Sequence, residues 1–576
     1  MKIFGEIKQD FKNAVSEHLI SMVLFLLAMI CAAFYIDAFN NSRSHLLRAF
    51  EYVITFTLIG ASMSVLLCEN IHHCFKNSGI IKTIISIIIL IVGIFDTFIL
   101  AFVNNYTFYD LVWPDDELSK SGVINIIYDI SIVVYVSYIA LILYFFYKQS
   151  GEEFESYVAK AFCGVMKAEI LYFIIAIGSM LILGAIDVLI SDFAEFELYA
   201  VVQVILLGLV AFPCGLIGLS KTQNEISRFG KAVIGYVFTA LLAIAFLIIY
   251  IYIIKILVTW TFPKNEVFTI LAVMFSFGLF IWTMAMGCVN ESLKKPIACM
   301  PFFFMPFIIL QIICVSMRIR QYGFTSSRYF GVAFIVFELI YSGVYIYKFV
   351  VKKDIMGLTL IIISIMSFLM LLAPFVNVHS VVFASQKANI EKYLVNKDTE
   401  DEEILKNAYE SYKAISNDGG FQGQRYLDKN MSQEDVDIVN GSAAASQREW
   451  YYIGSYSNAQ EIDVAGYSKL IFVHADRRGE DLLNSDLQHI DIYSSKDEEF
   501  IGTVDIKDIA NELVDIDKKD VEYDIKNEME KELLSNVLVT FEGDTFVITD
   551  ISFNAYEDSK GIHVLVLDME GYILKN

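Results

Sequence analysis

A basic connection with three arginines separates two strongly apolar segments. It reads Arg318-Ile-Arg-Gln-Tyr-Gly-Phe-Thr-Ser-Ser-Arg328. Gly323 can form the turn of this connection, because glycine adopts backbone angles that other residues avoid. Arg318, Arg320 and Arg328 carry planar guanidinium groups that bind carboxylate or phosphate through paired hydrogen bonds. The connection therefore predicts an anion-binding or ion-paired site.

Three aspartates fall inside apolar segments and are candidate partners for these arginines. They are Asp96, Asp129 and Asp187, and alternation of helix direction puts all three in the same half of the bilayer. An unpaired charge inside a membrane is unfavourable, so each acid should face the protein interior or reach water. One hypothesis is a polar cluster of these acids with the three arginines. The alternative is that each acid lies near enough to the interface to be hydrated.

A stripe of polar residues marks a later apolar segment. Glu338, Tyr341, Ser342 and Tyr345 stand at positions i, i+3, i+4 and i+7, so they share one face of a helix. Such a face must look inward in a lipid environment. It can line a hydrated pathway, form a proton-linked site, or hold helices together by hydrogen bonds.

Residue types that bind metals occur together in Cys68-Glu69-x-x-His72-His73-Cys74. Their spacing fits none of the usual zinc sites, so we predict no metal here and no cofactor. Phosphate-loop, dinucleotide-binding, zinc-protease and serine-nucleophile patterns are not found in the sequence. Enzymatic activity is therefore not indicated, although an enzyme that uses the arginines to hold a lipid phosphate stays open.

Composition places the chain in a membrane. Of the 576 residues, 56% are hydrophobic and only 19% are charged, which is too apolar for a soluble protein. Charge is unevenly divided: residues 395–576 hold 17 Lys and Arg against 40 Asp and Glu, so the whole net charge of −23 lies there. An acidic tail repels polyanions, so nucleic acid is excluded as a partner and the lipid bilayer is expected as one.

Eleven apolar windows are long enough to cross a bilayer as helices. The predicted spans are 19–35, 50–68, 80–102, 123–146, 169–190, 199–219, 232–260, 267–289, 298–317, 329–350 and 355–376. Residues 1–18 alternate apolar and basic positions at helical spacing, which predicts an amphipathic helix on the membrane surface. The sequence thus predicts an all-α polytopic bundle of about eleven transmembrane helices over residues 19–380.

Orientation follows from the distribution of Lys and Arg, which cytoplasmic loops retain. With the N-terminus in the cytoplasm, sixteen basic residues fall in inner segments, and outer loops such as 104–122 are acidic. Eleven crossings then place the C-terminal domain outside the cytoplasm. One missed or additional span would invert this orientation.

The tail predicts a second, soluble domain. An amphipathic and acidic linker covers 381–400, and residues 401–576 form the acidic domain. Strands are predicted at 469–474, 489–493, 537–541, 545–548 and 562–567, and helices at 402–415, 506–514 and 521–534. This mixture predicts an α+β fold. All eight cysteines precede it, so it has no internal disulfide.

The arginine connection resembles the hallmark of the bacterial family called domain of unknown function 4153, an Arg-rich Gln-Tyr-Gly-x-Thr-x-x-Arg-Tyr segment between late membrane helices. A second match runs from Pro374-Phe-Val-Asn377 through Ser385-Gln386 to Leu394. The resemblance covers roughly residues 1–394. It implies a multi-pass protein of the bacterial inner, or cytoplasmic, membrane, and it supplies no activity.

Two functional hypotheses remain besides the enzyme. In the first, the bundle anchors an outer domain that senses an envelope signal or binds an envelope protein or a small molecule. In the second, it is a transporter or channel whose polar pathway includes Glu338. Few spans are broken by Gly and Pro as in transporters, Pro213 being the main case. We therefore place sensing or binding first.

Overall fold

The structure is a computed structural model. It describes residues 2–37, 45–75, 79–105, 123–189, 196–220, 226–259, 266–397, 402–433, 435–436, 438–439, 449–456, 467–496, 499–519, 523–536, 538–541, 544–558 and 561–575.

Helices make up the first part of the chain, and most of them are long and apolar. Their bounds are α1 Lys2–Asp37, α2 His45–Cys74, α3 Gly79–Asn104, α4 Val123–Ser150, α5 Phe154–Leu189, α6 Phe196–Leu206, α7 Phe212–Ser220, α8 Arg228–Ala232, α9 Thr239–Thr259, α10 Glu266–Cys288, α11 Glu291–Ala298, α12 Met300–Tyr322, α13 Ser326–Val351, α14 Leu358–Leu371, α15 Val378–Val395, α16 Glu402–Asp418 and α17 Gly420–Asn430. Short π-helical segments at Leu207–Ala211 and Val233–Phe238 join α6 to α7 and α8 to α9.

Ten spans meet the length and hydropathy of a membrane crossing within the described residues, and the apolar α14 stands at the eleventh predicted position. The prediction of a polytopic bundle of about eleven helices is confirmed. Helix α1 contains a non-helical residue at His18, where the predicted surface segment meets the first span. Large apolar side chains such as Leu181 (69% exposed) and Ile251 (59% exposed) face outward, as lipid contact requires.

The short α14 runs beside α4 over most of the length of that helix. Just before α14, Asp354 accepts a hydrogen bond from Tyr147 near the end of α4. Just after α14, His379 contacts Asp129 near the start of α4. Fourteen helical residues rise about 21 Å, and the flanking residues supply the remaining length. We call the end of α4 at Ser150 the proximal end of the bundle, and the end at Val123 the distal end.

Contacts divide the chain into two compact units. The first contains residues 1–399 and 410–432, and the second contains 400–409 and 433–576. The boundary lies inside the continuous helix α16 and therefore differs from the composition change near residue 395. In the first unit, α15, the second half of α16, and α17 form a helical cap at the distal end, defined here as residues 378–395 and 410–430.

The second unit is an antiparallel sheet with helices. The strands are β1 Glu449–Tyr456, β2 Lys469–Leu483, β3 Ile490–Ser494, β4 Phe500–Val504, β5 Leu538–Phe541, β6 Asp544–Asp558 and β7 Gly561–Lys575, and the helices are α18 Lys507–Asp517 and α19 Tyr523–Asn536. The strand order is β1-β6-β7-β2-β3-β4, and β5 pairs with β6.

The core of the second unit lies between the sheet and α18. Leu513 and Val514 of α18 are fully buried with Phe553 and Ile573 of the long strands. The predicted α+β class is confirmed. Strands β1 and β4 and helix α17 were not predicted: β4 has only 5 residues, and α17 is largely polar.

Candidate functional site

The arginine connection forms a tight turn between α12 and α13. Gly323 has φ +70 and ψ −171, a conformation that essentially only glycine adopts. A β-carbon there would lie 2.8 Å from Ser385 Oγ and 2.9 Å from Gln386 Nε2. The glycine is therefore needed both for the backbone angle and for the close approach of α15.

Ser385 and Gln386 of α15 hold this turn by hydrogen bonds to its backbone. The N–H of Phe324 donates to Ser385 Oγ at 2.9 Å. Gln386 Nε2 donates to the carbonyl oxygens of Tyr322 at 3.0 Å and Phe324 at 2.7 Å. The two segments that carry the family resemblance are thus in direct contact, although about 60 residues separate them in sequence.

The cap completes the bonding of Gln386. Ser411 Oγ of α16 donates to Gln386 Oε1 at 2.7 Å, and Asn389 Nδ2 donates to Ser411 Oγ at 3.0 Å. Gln386 and Ser411 are both buried. A glutamine amide that is fully bonded in a buried site fixes one orientation of the groups around it. This network, residues 322–324, 385–386, 389 and 411, is called the turn lock below.

Two of the arginines, Arg318 and Arg328, lie beside Tyr322 and, among the described residues, not beside the predicted acids. Arg328 Nη1 donates to the carbonyl oxygen of Gly323 at 2.9 Å, and the guanidinium carbons of Arg318 and Arg328 lie 5.9 and 5.2 Å from the centre of the Tyr322 ring. Arg320 is exposed. In the part of the chain that the structure describes, none of the three arginines forms an ion pair with Asp96 or Asp129.

Asp129 pairs instead with a residue that the sequence did not single out. His379 Nε2 lies 2.7 Å from Asp129 Oδ2, and His379 Nδ1 lies 2.7 Å from the carbonyl oxygen of Asp418. The hydrogen bond to Asp129 raises the pKa of His379 against the opposing effect of burial, and the Asp418 carbonyl raises it further. In the described structure Asp129 is therefore paired with an imidazole and not with one of the three arginines.

The geometry places an exchangeable proton in this pair. A carbonyl oxygen only accepts, so His379 Nδ1 must carry a proton. A carboxylate also only accepts, so Nε2 carries a second proton toward Asp129. Removing that proton leaves two acceptors facing each other. The pair therefore joins cap and bundle in a protonation-dependent way.

A cavity of about 300 Å³ adjoins this pair, lined by Asn125, Asp129, His379 and residues 419–422 among others. Gly420 has φ +59, and a β-carbon there would lie 2.9 Å from His379 Cβ. This glycine lets α17 begin directly against the imidazole. The cavity is large enough for several water molecules or a small ligand.

The other predicted acids lie elsewhere. Asp96 is buried in α3 and accepts a hydrogen bond from Ser131 Oγ of α4 at 2.9 Å. Asp187 falls in α5, and its side chain lies outside the described part of the structure.

The predicted stripe on α13 faces the protein interior. Glu338 is 0% exposed, and its Oε1 accepts a hydrogen bond from Gln311 of α12 at 3.2 Å. The hydroxyls of Tyr341 and Thr283 lie 2.7 Å apart, and Tyr345 donates to the carbonyl oxygen of Ala298 at 3.2 Å. Ser342 is also buried. In this conformation the stripe joins α13 to α10, α11 and α12.

A second polar cluster lies at the proximal end, and we call it the proximal cluster. Lys348 forms an ion pair with buried Glu155 and lies 3.3 Å from Asp354. Asp354 Oδ2 also accepts from Tyr147 at 3.1 Å and from the N–H of Phe154 at 2.9 Å. Burial raises the pKa of Asp354, but the Phe154 N–H and the Lys348 charge outweigh it and lower that pKa below its ordinary value.

The Cys-Glu-His-His-Cys segment lies at the same end and contacts the kink in α1. Ser21 Oγ donates to Glu69 Oε2 at 2.8 Å, and His18 Nδ1 lies 3.3 Å from the same oxygen. Cys68 Sγ donates to the carbonyl oxygen of Ser86 at 3.5 Å. Across the described ranges, no group of three or more His, Cys, Asp or Glu could hold a metal ion.

Sequence reasoning missed His379, Asp354, Lys348 and Glu155. Each lies near a helix end, where a charged residue is ordinary, so its type alone gives no signal. A signal was present for His379, since it lies inside the Pro374-to-Leu394 segment that resembles the family pattern.

Comparison with known proteins gives one family. The model of the family described as Domain of unknown function (DUF4153) matches residues 22–409. This range includes most of the first span and all of the later ones, the turn lock up to Asn389, and the His379–Asp129 pair. No curated protein and no solved structure matches the chain.

Proposed function

The chain belongs to the DUF4153 family, a family of unknown function, and on that premise we propose that this multi-pass membrane protein is an envelope sensing or binding protein of the bacterial cytoplasmic membrane. In this proposal the second unit lies outside the cytoplasm and binds an envelope protein or a small molecule. The bundle carries the resulting change to the cytoplasmic end.

The observation that carries the proposal is that polar contacts fix the segments on both sides of α14. After α14, at the distal end, the Asp129–His379 pair joins α4 to the cap helix α15. Before α14, at the proximal end, Asp354 contacts Tyr147 of α4, the N–H of Phe154 at the start of α5, and Lys348 of α13. A short apolar helix between two such contacts can shift as a unit, so that a change in the contacts at one end alters the contacts at the other end.

Helix α16 offers a covalent route from the second unit to the cap. Residues 400–409 belong to the second unit and 410–432 to the first, so the chain crosses the boundary inside α16. Ser411, just after the boundary, donates to Gln386 in the turn lock. Ligand binding in the second unit would thereby change the conformation of the cap.

Charge supports the proposed orientation. The proximal end is rich in lysine, including Lys82, Lys148 and Lys352, which favours a cytoplasmic location. The cap and the second unit follow an eleventh crossing and are then extracytoplasmic.

Transport is the second candidate, and Glu338 is the residue that favours it. A buried carboxylate inside a bundle is a common element of proton-linked pathways. Glu338 Oε2 is buried and has no hydrogen-bond partner among the described residues. Its other oxygen bonds to Gln311, and the stripe is closed by neighbouring helices, which favours a structural role.

The sidedness of the second unit is the first test. In a variant lacking the eight native cysteines, the exposed Lys519 and Glu153 are each replaced by cysteine, one in the second unit and one at the proximal end. We expect a membrane-impermeant maleimide to label Lys519→Cys in intact spheroplasts and Glu153→Cys only after lysis. The reverse pattern would place the tail in the cytoplasm and overturn the envelope role.

The role itself is tested by complementation of a deletion strain. We expect a chain lacking residues 433–576 to reach the membrane at normal levels and to lose function, whereas Glu338→Gln keeps it. Loss of function in Glu338→Gln with full activity of the truncated chain would instead support transport.

A further inference from the structure

The helical cap contains a basic groove between α15 and α17. Its volume is about 950 Å³. Three of the side chains that line it are cationic: Lys387 from α15, and Arg425 and Lys429 from α17. Arg425 and Lys429 are four residues apart and so share one helix face. The groove therefore concentrates positive charge in a chain whose net charge is −23.

Little in the described structure neutralises this charge. Lys387 lies 3.4 Å from Glu391, an acidic residue that also lines the groove, in an exposed pair, which has small energetic weight. Within the described ranges, Arg425 and Lys429 form no ion pair, and both are exposed. The groove thus presents two unpaired cations and a third that is weakly paired.

One side of the groove is apolar and aromatic. The rings of Phe383 and Tyr426 lie 5.4 Å apart, and Lys387 Nζ is 5.2 Å from the centre of the Tyr426 ring. Leu394 and Val395 complete this side, and Val395 is 88% exposed. A ligand that matches both features carries an anionic group beside an apolar part.

The position of α15 identifies the source of such a ligand. His379 is bound to α4, and Gln386 is bound to the connection between α12 and α13. Helix α15 therefore lies across the ends of membrane spans, at the level where lipid headgroups begin. Clusters of Lys and Arg at this level attract anionic lipids.

We propose that this groove binds the headgroup of an anionic phospholipid from the adjoining leaflet. The phosphate is bound by Lys387, Arg425 and Lys429, and the glycerol and upper acyl carbons contact Phe383 and Tyr426. The site is separate from the Asp129–His379 pair and does not depend on the proposed sensing role.

The test uses the full-length chain in mild detergent and counts bound lipid by native mass spectrometry. Phosphatidylglycerol and phosphatidylcholine with identical acyl chains are compared at equal concentrations. The triple variant Lys387→Gln/Arg425→Gln/Lys429→Gln is compared with Lys392→Gln/Lys469→Gln/Lys519→Gln, which makes the same charge change at exposed lysines outside the groove. The variant Arg425→Lys/Lys429→Arg keeps the groove charge.

We expect the groove variant to lower phosphatidylglycerol binding about tenfold or more. The exposed control and the charge-conserving variant should both keep it. Phosphatidylcholine binding should be weak in all four proteins.

Equal retention of both lipids by the native chain would overturn the proposal, as would equal losses in the two triple variants. Displacement of the lipid by millimolar glycerol phosphate would identify a free phosphate compound as the ligand instead. Thermal unfolding of each variant shows whether the chain is folded when binding is measured.

Discussion

The side-chain amide of Gln386 lies directly against Gly323, in a space that a β-carbon at Gly323 would enter to 2.9 Å from Nε2. The amide bonds the carbonyl groups on both sides of that glycine. These two residues belong to the two segments that resemble the family pattern. Their contact gives that pattern a physical reason: the glycine leaves room for α15, and Gln386 of α15 bonds the backbone of the turn.

Replacing Gln386 with leucine should destabilise the protein by about 1–3 kcal/mol, because the carbonyl groups of Tyr322 and Phe324 lose their bonds to its amide and the buried Ser411 hydroxyl loses its acceptor. The change is measured by thermal unfolding of the purified chain in detergent. Gln321→Leu is the matched control, since Gln321 lies in the same connection and is exposed. A loss as large in Gln321→Leu would refute a specific role for the turn lock.

Gly323→Ala should lower stability by roughly 1–3 kcal/mol, because alanine is strained at φ +70, ψ −171 and its β-carbon meets Ser385 and Gln386. Gly343→Ala is the control: a β-carbon at this helical position meets nothing within 4 Å. We expect Gly343→Ala to be neutral or slightly stabilising. Unfolding temperatures of the two variants, measured side by side, decide the comparison.

The Asp129–His379 pair should make stability depend on pH. Its hydrogen bond raises the folded-state pKa of His379 above the ordinary value of 6.5. The stabilisation is therefore complete below about pH 6.5, and it is lost as the pH rises through the folded-state value. The difference in unfolding temperature between the native chain and His379→Gln should be largest at acidic pH and should shrink toward pH 9.

His489→Gln provides the control for this pH dependence, because His489 is exposed in the second unit. Its unfolding temperature should follow that of the native chain at every pH. A constant difference between the native chain and His379→Gln from pH 5.5 to 9 would show that the pair carries no proton linkage.

Lys348→Met should be among the most damaging single changes at the proximal end. It leaves the buried Glu155 without its cation, and breaking a buried ion pair costs about 3–5 kcal/mol. Adding Glu155→Gln should recover part of the loss, as a double-mutant cycle would measure. Lys353→Met, at an exposed lysine nearby, should change little. Full additivity of Lys348→Met and Glu155→Gln would exclude the coupling.

The candidate site could be predicted only in part. The Gly323 turn and the inward stripe at Glu338 followed from residue type and helical spacing, which are local properties. The partners of the arginines and of Asp129 could not be predicted from residue type, because a guanidinium or a carboxylate group can pair with many kinds of group. Which partner it has depends on the helix that lies nearest. His379 is 250 residues from Asp129, and no local pattern joins them.

The sequence by itself determined the membrane bundle, the approximate number of spans, the α+β tail and the concentration of acidic charge in that tail. These features follow from runs of apolar residues and from charge, which act along the chain. Only the tertiary structure decided that polar contacts fix the segments before and after α14, that Gln386 holds the Gly323 turn and that residues 410–430 pack with the bundle. Those relationships are set by the packing of distant helices, where buried polar groups must find partners that sequence distance does not reveal.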